Sequence, residues 1–83
     1  MTELPMIQYP CTWSYTIIGE GEEALRLAVS GVMGDRDHTV TPGHHSAAGR
    51  YCSLHVTLMV LDEEERLCLL AALQREAVVR FVL

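Results

Sequence analysis

Residues Ser46 to Leu83 constrain the fold more than any other stretch, because they read as one β-α-β unit running to the last residue. Ser46-Ala47-Ala48-Gly49 has the composition of a turn. From Tyr51 to Val60 the side chains alternate. Cys52, Leu54, Val56, Leu58 and Val60 share one face, and Tyr51, Ser53, His55, Thr57 and Met59 share the other. Asp62 opens a helix that the pattern carries to about Glu76, and Val78 to Leu83 reads as a closing strand. Asp62 suits the N-cap and Glu65 the third helical position, the pair of a capping box. Glu63, Glu64 and Glu65 complement the positive end of the helix dipole. Leu69, Leu70, Leu73 and Ala77 form the core stripe. Leu67, Cys68 and Ala71 lie off it, so the helix is apolar around more of its girth than one buried face requires.

The first half repeats this order. Pro5 and Pro10 discourage both helix and ladder pairing, which makes residues 1–10 an irregular arm. Cys11 to Ile18 is a half-buried strand, with Trp13, Tyr15 and Ile17 on one face and Ser14, Thr16 and Ile18 on the other. Gly19-Glu20-Gly21 is expected to break it. Glu22 to Met33 then has helical spacing. Leu25, Ala28, Val29, Val32 and Met33 make one stripe, Glu22, Glu23, Arg26 and Ser30 face water, and Gly34 is the stop. Asp37 to Thr41 is a short strand, with Pro42-Gly43-His44-His45 as its turn, which favours a sheet edge.

The order β-α-β-β-α-β predicts an α+β fold, the ferredoxin-like split βαβ arrangement. Residues 11–83 form a single domain with a four-stranded antiparallel sheet and both helices packed on one face. The open face is expected to carry Ser14, Thr16, Ile18, Tyr51, Ser53, His55, Thr57, Met59, Arg80 and Val82. Trp13, Tyr15 and Phe81 are expected in the core.

Composition narrows the function classes. At 83 residues there is room for one core, burying about 60–65% of the unfolded chain's surface. The formal charge is −5, with six arginines and no lysine, which counts against nucleic acid and anionic membranes. The three cysteines, Cys11, Cys52 and Cys68, form no Cys-x-x-Cys pair. Met1 to Pro5 has neither a basic region nor an apolar run for export or spanning. The expectation is a cytoplasmic chain with reduced thiols and no membrane insertion.

No constellation here points to an enzyme. His44 and His45 are adjacent, His38 and His55 lie on strands, and no closed-site spacing supports a resident metal. Cys52 points to the core, Cys11 begins a strand and Cys68 flanks a helix, none of them the setting of a Cys-His nucleophile. Glu63, Glu64 and Glu65 point in different directions on a helix. The expectation is a non-enzyme with no cofactor. The Gly19-Glu20-Gly21 turn sits where a ligand could meet free backbone N–H groups, although the neighbouring acids favour an amine over an anion. A turn that simply needs glycine explains the same residues.

Several segments resemble a known family. Tyr9-Pro10, Trp13-x-Tyr15-x-Ile17-Ile18-Gly19, Ser46-x-x-Gly49-x-Tyr51-x-Ser53 and the terminal Val79-Arg80-Phe81-Val82-Leu83 look like the YbeD-like family of small bacterial proteins. The resemblance covers Tyr9 to Leu83. It implies a ferredoxin-like fold similar to ACT-type regulatory domains, a cytoplasmic location and no catalytic residues. Thr16 and Ala48 depart from the basic residues that such relatives often carry there.

Together these readings point to a non-catalytic regulatory or adaptor domain that binds a small metabolite or a protein. Gly19, Glu20 and Gly21 are the candidate ligand contacts. Leu67, Cys68 and Ala71 on the second helix, and Tyr51, His55 and Met59 on the open sheet face, are candidate partner surfaces. Self-association through either surface is left open. The alternative reading is a single-stranded nucleic-acid module on the open face, where Tyr51 is the one aromatic expected.

Overall fold

A computed structural model describes residues 7–45 and 51–83. The elements run β1 (Cys11–Glu20), α1 (Glu22–Met33), β2 (His38–His45), β3 (Tyr51–Val60), α2 (Glu63–Arg75) and β4 (Val79–Val82). The sheet order is β2-β3-β1-β4, with each described pairing antiparallel. This is the expected four-stranded sheet with two helices. The expected turn at Ser46 to Gly49 lies outside the described residues.

The centre is the β1–β3 ladder, which pairs Cys11 with Val60 through to Glu20 with Tyr51 without interruption. Alternation sends Tyr15, Ile17, Leu54, Val56, Leu58 and Val60 inward, where they meet Leu25, Val29 and Met33 of α1 and Leu69 and Leu73 of α2. Among the described residues no polar or charged residue is buried. The core is therefore held by apolar burial, each large side chain contributing about 1.5–3 kcal/mol.

Polar contacts fix the edges of that core. The Tyr15 hydroxyl donates to the Arg66 carbonyl at 2.6 Å, and Arg66 Nε donates to the Tyr9 hydroxyl at 2.8 Å. The Arg66 guanidinium lies 4.7 Å from the Trp13 ring centroid, a cation–π contact. These contacts tie Tyr9, a residue of the expected arm joined to Pro10 by a cis peptide bond, to β1 and α2. Burial raises the Tyr15 phenol above its ordinary value. Asp62 caps α2 by accepting from Glu65 N at 2.7 Å. Glu65 does not return to the Asp62 N–H; it reaches one residue further and accepts from Leu61 N at 3.0 Å.

Several local expectations are corrected. β1 does not break at Gly19-Glu20-Gly21 but continues through Glu20, and Gly21, at φ 87°, is the residue that turns into α1. Gly19 is glycine for packing reasons, since a Cβ there would strike the Val78 carbonyl oxygen and lie 2.8 Å from Leu25 Cδ2. Pro42-Gly43-His44-His45 is not a turn but the second half of β2, with a register shift between Pro42 and His45. Pro42 is tolerated because β2 is a sheet edge. Ala77 lies past the end of α2 and is exposed, so it adds nothing to the core stripe.

The largest correction concerns β4. Its register shifts opposite Ile18 and Gly19: Val79 pairs with Gly19, Phe81 with Ile18 and Val82 with Ile17, leaving Arg80 without a β1 partner. One extra residue in a strand reverses the facing of everything beyond it. Val82 therefore packs against the core, while Phe81 stands on the open face, 63% exposed.

Two substitutions test this packing. Gly19→Ala should lower stability in urea unfolding by about 1–3 kcal/mol, the usual cost of overpacking. Phe81→Ala should cost less than about 1 kcal/mol in the same measurement, against about 3–5 kcal/mol for a core phenylalanine.

Candidate functional site

The helices cover one face of the sheet and leave the other open. On β1 and β3 the open positions face one another in register: Thr12 with Met59, Ser14 with Thr57, Thr16 with His55, Ile18 with Ser53 and Glu20 with Tyr51. β2 adds Thr39 beside Thr57 and Thr41 beside His55. β4 adds Phe81 beside Ile18, and the Leu83 backbone exchanges two hydrogen bonds with Thr16. The pleat alone places these side chains together, since every second residue of each strand faces the same way.

Hydroxyls and one imidazole connect the middle of this face. Thr16 Oγ1 lies 3.1 Å from His55 Nδ1, and the Thr57 hydroxyl donates to Ser14 Oγ at 3.3 Å. Gly43 passes close over β3: a Cβ there would meet Ser53 Oγ and lie 3.1 Å from His55 Nε2. Sequence reasoning missed Gly43 as part of this surface because its neighbours Pro42 and His44 read as a turn. Toward the start of β1, Thr12, Asp37, His38, Thr39, Thr57 and Met59 line an open depression of about 360 Å³.

Charge divides the molecule sharply. Among the described ladder positions on the open face, Glu20 at one end is the sole formal charge, with exposed Arg80 out of register on β4 and Asp37 beside the depression at its margins. The helical layer carries Glu22, Glu23 and Arg26 on α1 and Glu63, Glu64, Glu65, Arg66 and Arg75 on α2. Exposed apolar side chains sit on the neutral face at Tyr51, Met59, Phe81 and Leu83. Depleted charge combined with exposed aromatic and methionine side chains is the composition of a binding surface.

Both flanks of the sheet are poorly suited to adding a strand. Pro42 and the register shift interrupt β2, and β4 is four residues long with Arg80 out of register. Short, bulged, proline-bearing edges discourage edge pairing. The face, rather than an edge, is what remains available.

The other sequence-predicted positions do not converge. Gly19 is buried, Glu20 ends the open face, and Gly21 caps α1 without a side-chain hydrogen bond. Leu67, 47% exposed, stands with exposed Cys68 and half-buried Ala71 on α2, in the opposite layer from Tyr51, His55 and Met59. Cys11, Cys52 and Cys68 are all free thiols. Burial, reinforced by the Glu22 charge, pushes the Cys52 thiol up, away from the thiolate a nucleophile needs. Among the described residues, no group of three or more histidine, cysteine or acidic side chains is placed to hold a metal ion. Nor, among those residues, is any helix long and apolar enough to cross a membrane.

Comparisons with known proteins agree with the geometry. "Uncharacterized protein Cj0253" of Campylobacter jejuni is 29% identical over 79 residues, covering 95% of this chain and 88% of that protein. The solution structure of HP0495 from Helicobacter pylori superposes with a TM-score of 0.83 at 23% identity, covering 99% of this chain and 90% of the other. The crystal structure of the ACT domain from GTP pyrophosphokinase of Chlorobium tepidum superposes with a TM-score of 0.67 at 16% identity, covering 87% and 94%. The last likeness confirms the ACT-like, ferredoxin-like fold that the YbeD-like resemblance implied. Residues 4–83 match the family described as "Protein of unknown function (DUF493)", and the chain belongs to that family.

Proposed function

We propose that this chain is a non-catalytic regulatory domain that works by binding, with the open sheet face as its working surface. The observation that carries this reading is the division of charge: a charge-poor face of hydroxyls, an imidazole and exposed apolar side chains, backed by helices that carry five acids and three arginines. Support also comes from the raised Cys52 thiol, which withholds a nucleophile from the best-buried cysteine. The ACT domain of a GTP pyrophosphokinase has the same fold, and the Glu20, Glu22 and Glu23 carboxylates beside the Gly21 turn favour an amine-bearing small metabolite as the first ligand class to test. A protein partner on the same face is the adaptor form of this reading, and a cytoplasmic location suits both forms.

A nucleic-acid module is the second reading, and the displaced Phe81 favours it. With Tyr51 it gives the open face two aromatic side chains, the kind of platform on which bases stack. The charge of −5 opposes it, because phosphate contacts supply most of such affinity and, among the described strand residues, Arg80 beside Phe81 is the one arginine near this face.

Thermal unfolding in the presence of amino acids and related metabolites separates these readings. A ligand at a hundred times its Kd adds about 2.7 kcal/mol, or about 10–20 °C in a domain of this size. No shift at millimolar concentration of any metabolite would exclude the small-ligand form. Fluorescent single-stranded RNA should show no salt-dependent binding; binding lost on Phe81→Ala would favour the second reading instead.

A further inference from the structure

Exposed apolar side chains occur on both layers of the molecule, and electrostatics decides which layer can meet another copy. Leu67 and Cys68 follow Glu63 and Glu64 by one helical turn on α2. Pairing through that surface would set the acidic first turn of α2 against a second copy of an acidic chain. Each chain already carries a charge of −5, and like charges held close oppose association. The open sheet face carries fewer charges, with Glu20 at one end and Asp37 beside the depression. Two copies joined there keep their acidic helical layers on the outer surfaces, on the order of 30 Å apart and several Debye lengths distant at physiological salt.

The face is also shaped to fit itself. Ile18, Phe81 and Leu83 crowd one corner, over β1 and β4, with Leu83 75% exposed. The open depression beside Thr12, Asp37, His38, Thr39 and Met59 occupies the diagonally opposite corner, over β2 and the start of β1, with Met59 as its exposed apolar side chain. A two-fold axis lying between two facing sheets, along the other diagonal, sets each copy's apolar corner over the other copy's depression. Both contacts then form at once, as an isologous interface requires. The area sets a ceiling on the strength of the contact. Strands of ten, eight, ten and four residues give a projected face of about 500 Å² per copy, so at most about 1,000 Å² across the pair. That is at the lower bound for a specific association and implies one that depends on concentration.

We infer that two copies of this chain associate through their open sheet faces, with Phe81 of each at the centre of one contact. The inference rests on the open face being the working surface, and it adds that a partner must displace the second copy to reach that face. Light scattering and sedimentation of the whole reduced chain, without ligand, read self-association independently of any metabolite screen. The expected result is a mass rising from monomer to dimer between micromolar and millimolar concentration. Phe81→Glu and Ser14→Arg, both at exposed positions, should each remain monomeric with an unchanged circular dichroism spectrum, while Leu67→Glu should still dimerise. A wild-type monomer at millimolar concentration would overturn the inference and leave the face to a partner of another kind. A dimer that survives both sheet substitutions but is lost in Leu67→Glu would overturn it as well, placing the contact on α2.

Discussion

The uninterrupted β1–β3 ladder governs the rest of this structure. Ten consecutive pairs, from Cys11 with Val60 to Glu20 with Tyr51, lock two strands so that neither can slip by one residue. A slip would move Ile17, Leu54 and Val56 into water and bring Thr16, His55 and Thr57 beneath the helices. That loss of burial, multiplied over the sheet, exceeds the stability of a domain this small. The two outer strands attach to this ladder and are free to be irregular because it is not.

The irregularities of the outer strands are what give the open face its character. The shift in β4 turns Phe81 out and Val82 in, so the terminal segment contributes an aromatic to the surface without taking apolar cover from the core. The shift in β2 brings Gly43 down over Ser53 and His55, closing the sheet near its imidazole. Each device also spoils an edge for strand addition. Interaction is thereby directed away from the edges and onto the face.

Much of this was legible in the chain. The period-2 alternation of β3, the apolar stripe of α1 and the Asp62 cap of α2 each follow from local side-chain chemistry, and the element order they give admits few topologies. The hydroxyl-rich half of the open face was legible for the same reason, since β1 and β3 alternate without fault. What escaped was everything that depended on one strand's fit to another. Arg80 carries no mark that it would fall out of register, and Pro42-Gly43 is as good a turn as it is a bulged strand. Arg66 was passed over altogether, because its role needs Tyr9, Trp13 and Tyr15, which lie some fifty residues away in the chain.

The sequence by itself determined the elements, their order, the buried faces of the central strands and the acidity of the helical layer, because those depend on spacing and composition within one segment. Tertiary structure alone decided that Gly19 is a packing glycine, that Phe81 belongs to the surface, and that the candidate positions of α2 and of the open face lie on opposite sides of the molecule. The physical reason is that facing in a sheet is set by register. Register is a property of two strands, and a single extra residue in one of them reverses it.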